Sequence, residues 1–192
     1  MTATAFPLRA RDAEMEAARA GWRRRALLVG GGFQVVFGAL WTLRGLAVVT
    51  PLWVAIAFGV AALVGGLASA YRLRSTAPRP TGPAARPLER RLTVATALQL
   101  VASGVLPVLV APVGSWLVLP SIVITIGVLL VYVHRIAGTP YQGIAGWFLI
   151  ALSVATLASN GPAQVASICI ASAVILLACA AAGFRWLAGD HH

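Results

Sequence analysis

The side chains able to do chemistry within the apolar stretches of this chain are amides and hydroxyls, Gln34, Gln99, Ser103, Ser121 and Thr125, joined by one cation, Arg44. Gln34 follows Arg25 by nine positions and Gln99 follows Arg91 by eight. At about 1.5 Å rise per helical residue, both amides lie about 12 to 14 Å beyond the cation that precedes them. An amide in hydrocarbon needs a partner, and an interhelical hydrogen bond contributes about 0.6 to 2 kcal/mol. Mutual bonding of Gln34 with Gln99, as structural glue, is therefore the expected arrangement. The sharper alternative is a polar binding cavity lined by Gln34, Gln99, Ser103, Ser121 and Thr125. Arg44 stands near the end of its apolar run, where its stem can lie in hydrocarbon while the guanidinium reaches the surface; lining a pore is the second reading.

The other reactive residue types narrow the function further. Asp12, Glu14, Glu16, Glu89 and Asp190 all lie outside the apolar runs. Proton-coupled carriage and intramembrane aspartyl proteolysis thus lack their usual buried carboxylate, and a hydrolase lacks a base beside its nucleophile. His134, His191 and His192 are too scattered to make a metal site. Cys169 and Cys179 are ten positions apart on one expected helix, about 15 Å along its axis, too far to bridge each other. No catalytic group, metal or cofactor is expected, and the chain reads as non-enzymatic.

The elements that must position these side chains are membrane-spanning helices. With 59% hydrophobic and only 10% charged residues over 192 positions, the chain lacks the polar surface of a soluble globule. Six apolar runs are long enough to cross about 30 Å of hydrocarbon, at about 26–47, 52–71, 92–111, 116–133, 143–159 and 163–184. Turn formers and helix breakers at 49–51, 112–115 and 160–162 close them into three hairpins. The expected fold is an all-α, polytopic bundle of six transmembrane helices.

Arginine placement supports both the count and an orientation. All fifteen basic residues are arginine, and fourteen fall in the N-terminal segment, in residues 72–91, or just after the fourth and sixth runs. For six spans those segments share one side of the membrane, with Arg44 alone near the other. The positive-inside rule then places both termini in the cytoplasm, in a bacterial inner membrane. The formal charge of +10 thus orients helices, and nucleic acid is discounted as a partner. Aromatic residues agree: Trp41, Trp53 and Trp116 fall at the outer ends, and Trp22, Tyr71, Tyr132, Tyr141, Trp147 and Trp186 at or near the inner ends.

The flanking segments carry their own expectations. Residues 1–25 read as a solvated tail or an interfacial amphipathic helix, with Asp12, Glu16, Arg19 and Arg23 as an ion-paired stripe and Trp22 as a headgroup anchor. Residues 72–91 hold four prolines and six arginines, Arg72, Arg74, Arg79, Arg86, Arg90 and Arg91, against the single Glu89. They are expected to be extended and solvated, enforcing topology and contacting anionic headgroups at roughly 1 kcal/mol per arginine. Residues 190–192 form a short C-terminal tail. Small residues recur at four-residue spacing in Ala61-Gly65-Ser69, Ala62-Gly66-Ala70, Ala151-Ala155-Ser159, Ser167-Ala171 and Ala178-Ala182, and Gly30 and Gly38 each stand four residues from Gln34, which predicts close helix packing there. Pro107 is expected to kink the third helix near Gly104. The resulting expectation is a membrane-embedded interaction or accessory subunit, self-associating or paired with another membrane subunit. A small permease or channel-like protein for a neutral or anionic solute is the alternative.

Overall fold

Backbone polar groups in hydrocarbon must be satisfied within the chain, so an apolar sequence of this kind is restricted to helices. The computed structural model is accordingly all-helical. It describes residues 5–81, 83 and 85–189, with side chains from residue 12 onward. The helices are α1 (Ala5–Val49), α2 (Leu52–Arg72), α3 (Arg86–Val110), α4 (Val118–Ala137), α5 (Pro140–Ala155) and α6 (Gly161–Gly189). Short 3-10 turns at Arg74–Thr76, Ser115–Leu117 and Thr156–Ala158 join or extend them. Six helices among the described residues are long and apolar enough to cross a membrane.

Local sequence explains where the helices stop. Pro51 takes an extended conformation (φ −56°, ψ 140°) and opens α2. Gly138 adopts the left-handed conformation (φ 68°) that ends α4, its N–H donating to the His134 carbonyl at 2.8 Å. Pro140 then starts α5, since the first turn needs no N–H from it. By contrast, nothing interrupts α1 at residue 26. Its 45 residues form one helix about 67 Å long, more than twice the hydrocarbon thickness. The segment expected as a separate tail or interfacial helix is thus the first half of α1, as its high content of Ala, Glu and Arg favours.

Residues 72–91 also depart from expectation. Arg86 begins α3, with Pro87 in the first turn, so Arg86, Arg90 and Arg91 are helical. The preceding loop is not fully solvated: Ala77 and Ala85 are buried. Trp22 Nε1 donates to the Ala85 carbonyl at 3.2 Å, and Arg25 Nη1 donates weakly to that of Ala77 at 3.4 Å. Pro80 crosses α1 at Gly21, where a Cβ would come within 3.0 Å of the proline ring. The loop is therefore a strap over α1, and Trp22 lies beneath it instead of standing among headgroups. Trp41 is likewise in the core, beside Cys169 and Leu176. Trp53, Trp147 and Tyr71 are exposed.

Four helices make the core and two flank it. α1 runs antiparallel to α6 through three glycines seven residues apart. A Cβ on Gly31 would lie 2.6 Å from the Phe184 ring, one on Gly38 2.8 Å from Leu177 Cγ, and one on Gly45 2.8 Å from Ile170 Cγ1. The partners on α6 also step by seven, the spacing that keeps a helix seam in register. α4 and α5 meet backbone to backbone at Gly127 and Gly146. α2 packs mainly on α1, where Gly66 accommodates Val35, and α3 packs mainly on α4. No residue of α3 is buried.

Several expected packing stripes face outward. A Cβ on Gly65 would meet nothing within 4 Å. Ala151, Ala155, Ser159, Ser167 and Ala178 are exposed. In a chain this rich in alanine, four-residue repeats occur on every face, so the spacing does not select the packed one. α3 continues as helix through Pro107 to Val110.

Candidate binding cleft

The faces of α1, α3 and α4 that do not close on one another leave a cleft of about 400 Å³. On α1, Trp22, Ala26, Val29, Gly30, Phe33 and Phe37 line it at steps of three and four, one continuous helical face. Leu92, Thr96, Gln99 and Leu100 of α3 form the opposite wall, with Ile126, Leu129, Leu130 and Val133 of α4 as the floor. It exists because α1 gives its other faces to α2 and α6, while α3 is held mainly by α4. The lining is chiefly hydrocarbon. At the arginine-rich end the mouth is polar, formed by Trp22, Arg25, Arg79 and Glu89.

Of the residues singled out from sequence, Gln34 and Gln99 line this cleft. They do not bond to each other as expected. Gln99 Nε2 donates to Ser103 Oγ at 2.8 Å, Ser103 and Thr125 hydroxyls lie 2.9 Å apart, and Thr125 donates to the Ile122 carbonyl at 2.7 Å. Each donor is satisfied in sequence, so the chain of bonds sews α3 to α4. Gln34 is 4% exposed, and its amide lies beside the Cys179 thiol, a weak acceptor, with Nε2 making no hydrogen bond of ordinary geometry. Ser121 donates back to the Val118 carbonyl within α4, at 2.7 Å. Arg44 is exposed on α1. Neither lines the cleft, so the five-residue polar cavity is not assembled as one site. The missing juxtaposition has a simple cause: α1 and α3 are opposite walls of a gap, not a packed pair.

The basic residues divide by role. Arg79 and Glu89 form an ion pair at the mouth, with Arg79 largely exposed. Such a pair contributes at most about 1 kcal/mol. Arg74 stacks on the Tyr71 ring at 4.0 Å. Arg72, Arg86, Arg90 and Arg91 are exposed. Arg23, expected in a solvated ionic stripe, turns to the α4–α5 connection, where its Nε donates to the Ala137 carbonyl at 3.4 Å. Cys169 and Cys179 are buried free thiols. Among the described residues, no group of three or more His, Cys, Asp or Glu could hold a metal.

Two further glutamines passed over in the sequence, Gln142 and Gln164, are deeply buried and bonded to backbone carbonyls of other elements. Gln142 is 2% exposed: its Oε1 accepts from Thr139 Oγ1 at 2.6 Å, and its Nε2 donates to the Ala26 carbonyl at 3.2 Å. It reaches α1 because Gly30 has no side chain, for a Cβ there would lie 2.6 Å from Nε2. Gln164 is equally buried and donates to the Thr156 and Trp116 carbonyls at 2.9 and 3.2 Å. Gln142 therefore clasps α5 to α1, and Gln164 ties the start of α6 to the turns ending α5 and opening α4. A signal was present: Pro140-Tyr141-Gln142 and Pro162-Ala163-Gln164 each put Gln two places after a helix-opening proline.

A scan against family models, a search of curated proteins and a search of solved structures each found no match.

Proposed function

We propose that this chain is a non-enzymatic, membrane-embedded interaction or accessory subunit, inserted in a bacterial cytoplasmic membrane as three helical hairpins with both termini inside. The observation that carries the reading is the hydrogen-bond chain from Gln99 through Ser103 to Thr125. The Ser103–Thr125 bond joins α3 to α4 and Gln99 extends it along α3, which supports the glue reading. The peripheral placement of α2 and α3 supports a partner-binding role, since both keep long apolar faces, including Phe58, Val64, Val101 and Val108, exposed. Arginine distribution supports the orientation.

The test is a Gln99→Leu/Ser103→Ala variant in membranes of the source cell. Native electrophoresis should show loss of a higher-mass assembly while uptake of neutral and anionic solutes is unchanged. Unaltered assembly together with altered solute flux would refute the accessory role. A permease-like reading draws on one observation, the cleft that runs from the arginine-rich end to Gln34. It requires that cysteines placed at Val29 and Thr96 react with a membrane-impermeant thiol reagent from the inner side and, in a second state, from the outer side.

A further inference from the structure

We infer that the cleft is a seat for one anionic phospholipid, with its phosphate at Arg25 and one acyl chain lying along Phe33, Leu100 and Leu130. The inference deepens the orientation proposed above, because the mouth must face an anionic leaflet. The cleft is polar at one end and hydrocarbon along its length, the pattern of an amphiphile. Its depth also fits: from Arg25 to Gln34 is nine residues, about 13 Å, against about 15 Å for one leaflet of hydrocarbon. Because α1 and α3 do not pack together, the groove opens sideways, so a chain can enter from the bilayer without leaving it.

Charge at the mouth selects the headgroup. Glu89 is the one acidic residue among those lining the cleft, and Arg79 already engages it. Among the described residues Arg25 makes one long bond, to the Ala77 carbonyl, while a guanidinium has five N–H donors and suits the oxygens of a phosphate. Below the mouth, Thr93 and Thr96 lie four and seven residues past Glu89 on the α3 wall, about 6 and 10 Å deeper. That is the level at which ester carbonyls hang beneath a headgroup, and the exposed Thr93 hydroxyl supplies a donor there. On the opposite wall Val29 and Phe33 offer hydrocarbon, with the Gln34 amide beyond them.

Native mass spectrometry of the full chain in neutral detergent tests this, with phosphatidylglycerol, phosphatidylcholine or inorganic phosphate titrated in. The expected result is saturable retention of one phosphatidylglycerol per chain, preferred over phosphatidylcholine. Arg25→Gln should cut the preference about fivefold, the factor that roughly 1 kcal/mol per arginine corresponds to, and Arg25→Lys should restore most of it. Leu100→Trp, at an exposed position where a larger ring fills the groove without disturbing the core, should abolish retention with an unchanged melting temperature. Non-saturating uptake, equal retention of the two lipids, or displacement by millimolar inorganic phosphate would overturn the proposal. Protease accessibility of tagged termini in sealed vesicles reports orientation separately, so outward termini would refute the topology while the detergent assay still decided the cleft.

Discussion

Substituting single glycines of α1 by alanine separates helix propensity from close packing, and the outcome can be ordered in advance. Gly32, Gly38 and Gly45 share one helix, so each gains about 0.5 to 1 kcal/mol from the reduced backbone freedom of alanine. At Gly32 a Cβ meets nothing within 4 Å, and that gain should appear whole. At Gly38 the new atom would lie 2.8 and 2.9 Å from Leu177 Cγ and Cδ2, a side chain that can rotate away. Forced repacking of this kind costs about 1 to 3 kcal/mol, so Gly38→Ala should be destabilising by up to about 2 kcal/mol. At Gly45 the contacts include the Ile170 backbone nitrogen at 3.0 Å as well as Cγ1 at 2.8 Å, and a backbone cannot rotate away. Gly45→Ala should therefore cost the most. Reversible unfolding by sodium dodecyl sulfate in mixed micelles supplies the free energies. A double-mutant cycle of Gly38→Ala with Leu177→Ala should show a favourable coupling of about 0.5 to 3 kcal/mol, because truncating the leucine removes the clash. If Gly38→Ala and Gly45→Ala are as stable as Gly32→Ala, α1 and α6 do not meet along this seam and the packing argument fails.

The glutamines should respond in opposite senses. Gln142→Leu removes two buried hydrogen bonds and leaves the Thr139 hydroxyl without its acceptor, which should destabilise by about 1 to 3 kcal/mol in the same unfolding assay. Gln34→Leu removes a buried amide nitrogen whose one neighbouring acceptor is the weak Cys179 thiol, so its effect should be neutral or slightly stabilising; a loss above about 1 kcal/mol would mean that Gln34 is firmly bonded in the folded membrane state. Ser103→Ala breaks the α3–α4 chain and should cost about 0.6 to 2 kcal/mol, with faster hydrogen exchange confined to α3. Cys169 and Cys179 should resist maleimide labelling in mild detergent and react on denaturation, and rapid labelling of the folded protein would contradict their burial.

How much of this was legible in the residues differs by level. Six helices followed from run length, because hydrocarbon thickness imposes a length that the sequence must meet. The helix end at Pro51 followed from backbone geometry, whereas α4 and α5 run past the apolar limits at 133 and 143 to Ala137 and Pro140, because Gly138 and Pro140, not hydropathy, set those ends. The start of α3 at Arg86 was missed because six arginines and four prolines suggest solvent, yet Pro87 is well suited to a first turn. Burial of Trp22 and Trp41 was missed because interfacial enrichment is a tendency of a residue type and says nothing of which face of a helix it occupies. Packing faces were the least legible. Four-residue spacing of small residues is common to every face of an alanine-rich helix, whereas Gly31, Gly38 and Gly45 stood out only by their seven-residue step. For the candidate site, Gln34 and Gln99 do line one cleft, but their spacing from the flanking arginines could not show that their helices are its two walls.

The position of α3 connects glue and cleft, which the sequence presents as rival readings of the same residues. Between apolar helices in lipid there is no hydrophobic drive to associate, so packing and hydrogen bonds alone hold a helix in place. α3 buries no residue, and its packing term is correspondingly small. The Ser103–Thr125 bond, with Gln99 behind it, then adds to the packing of α3 on α4, and the same attachment fixes the distance of the α3 wall from α1. Loosening this attachment must widen or collapse the cleft, and filling the cleft with an acyl chain must in turn brace α3 against α1, a wall against which it is not extensively packed. Binding and the Gln99–Ser103–Thr125 bonds are therefore thermodynamically linked: a retained lipid should raise the stability of α3 in Ser103→Ala more than in the unaltered chain. Equal stabilisation of the two would show that the cleft and the seam act independently.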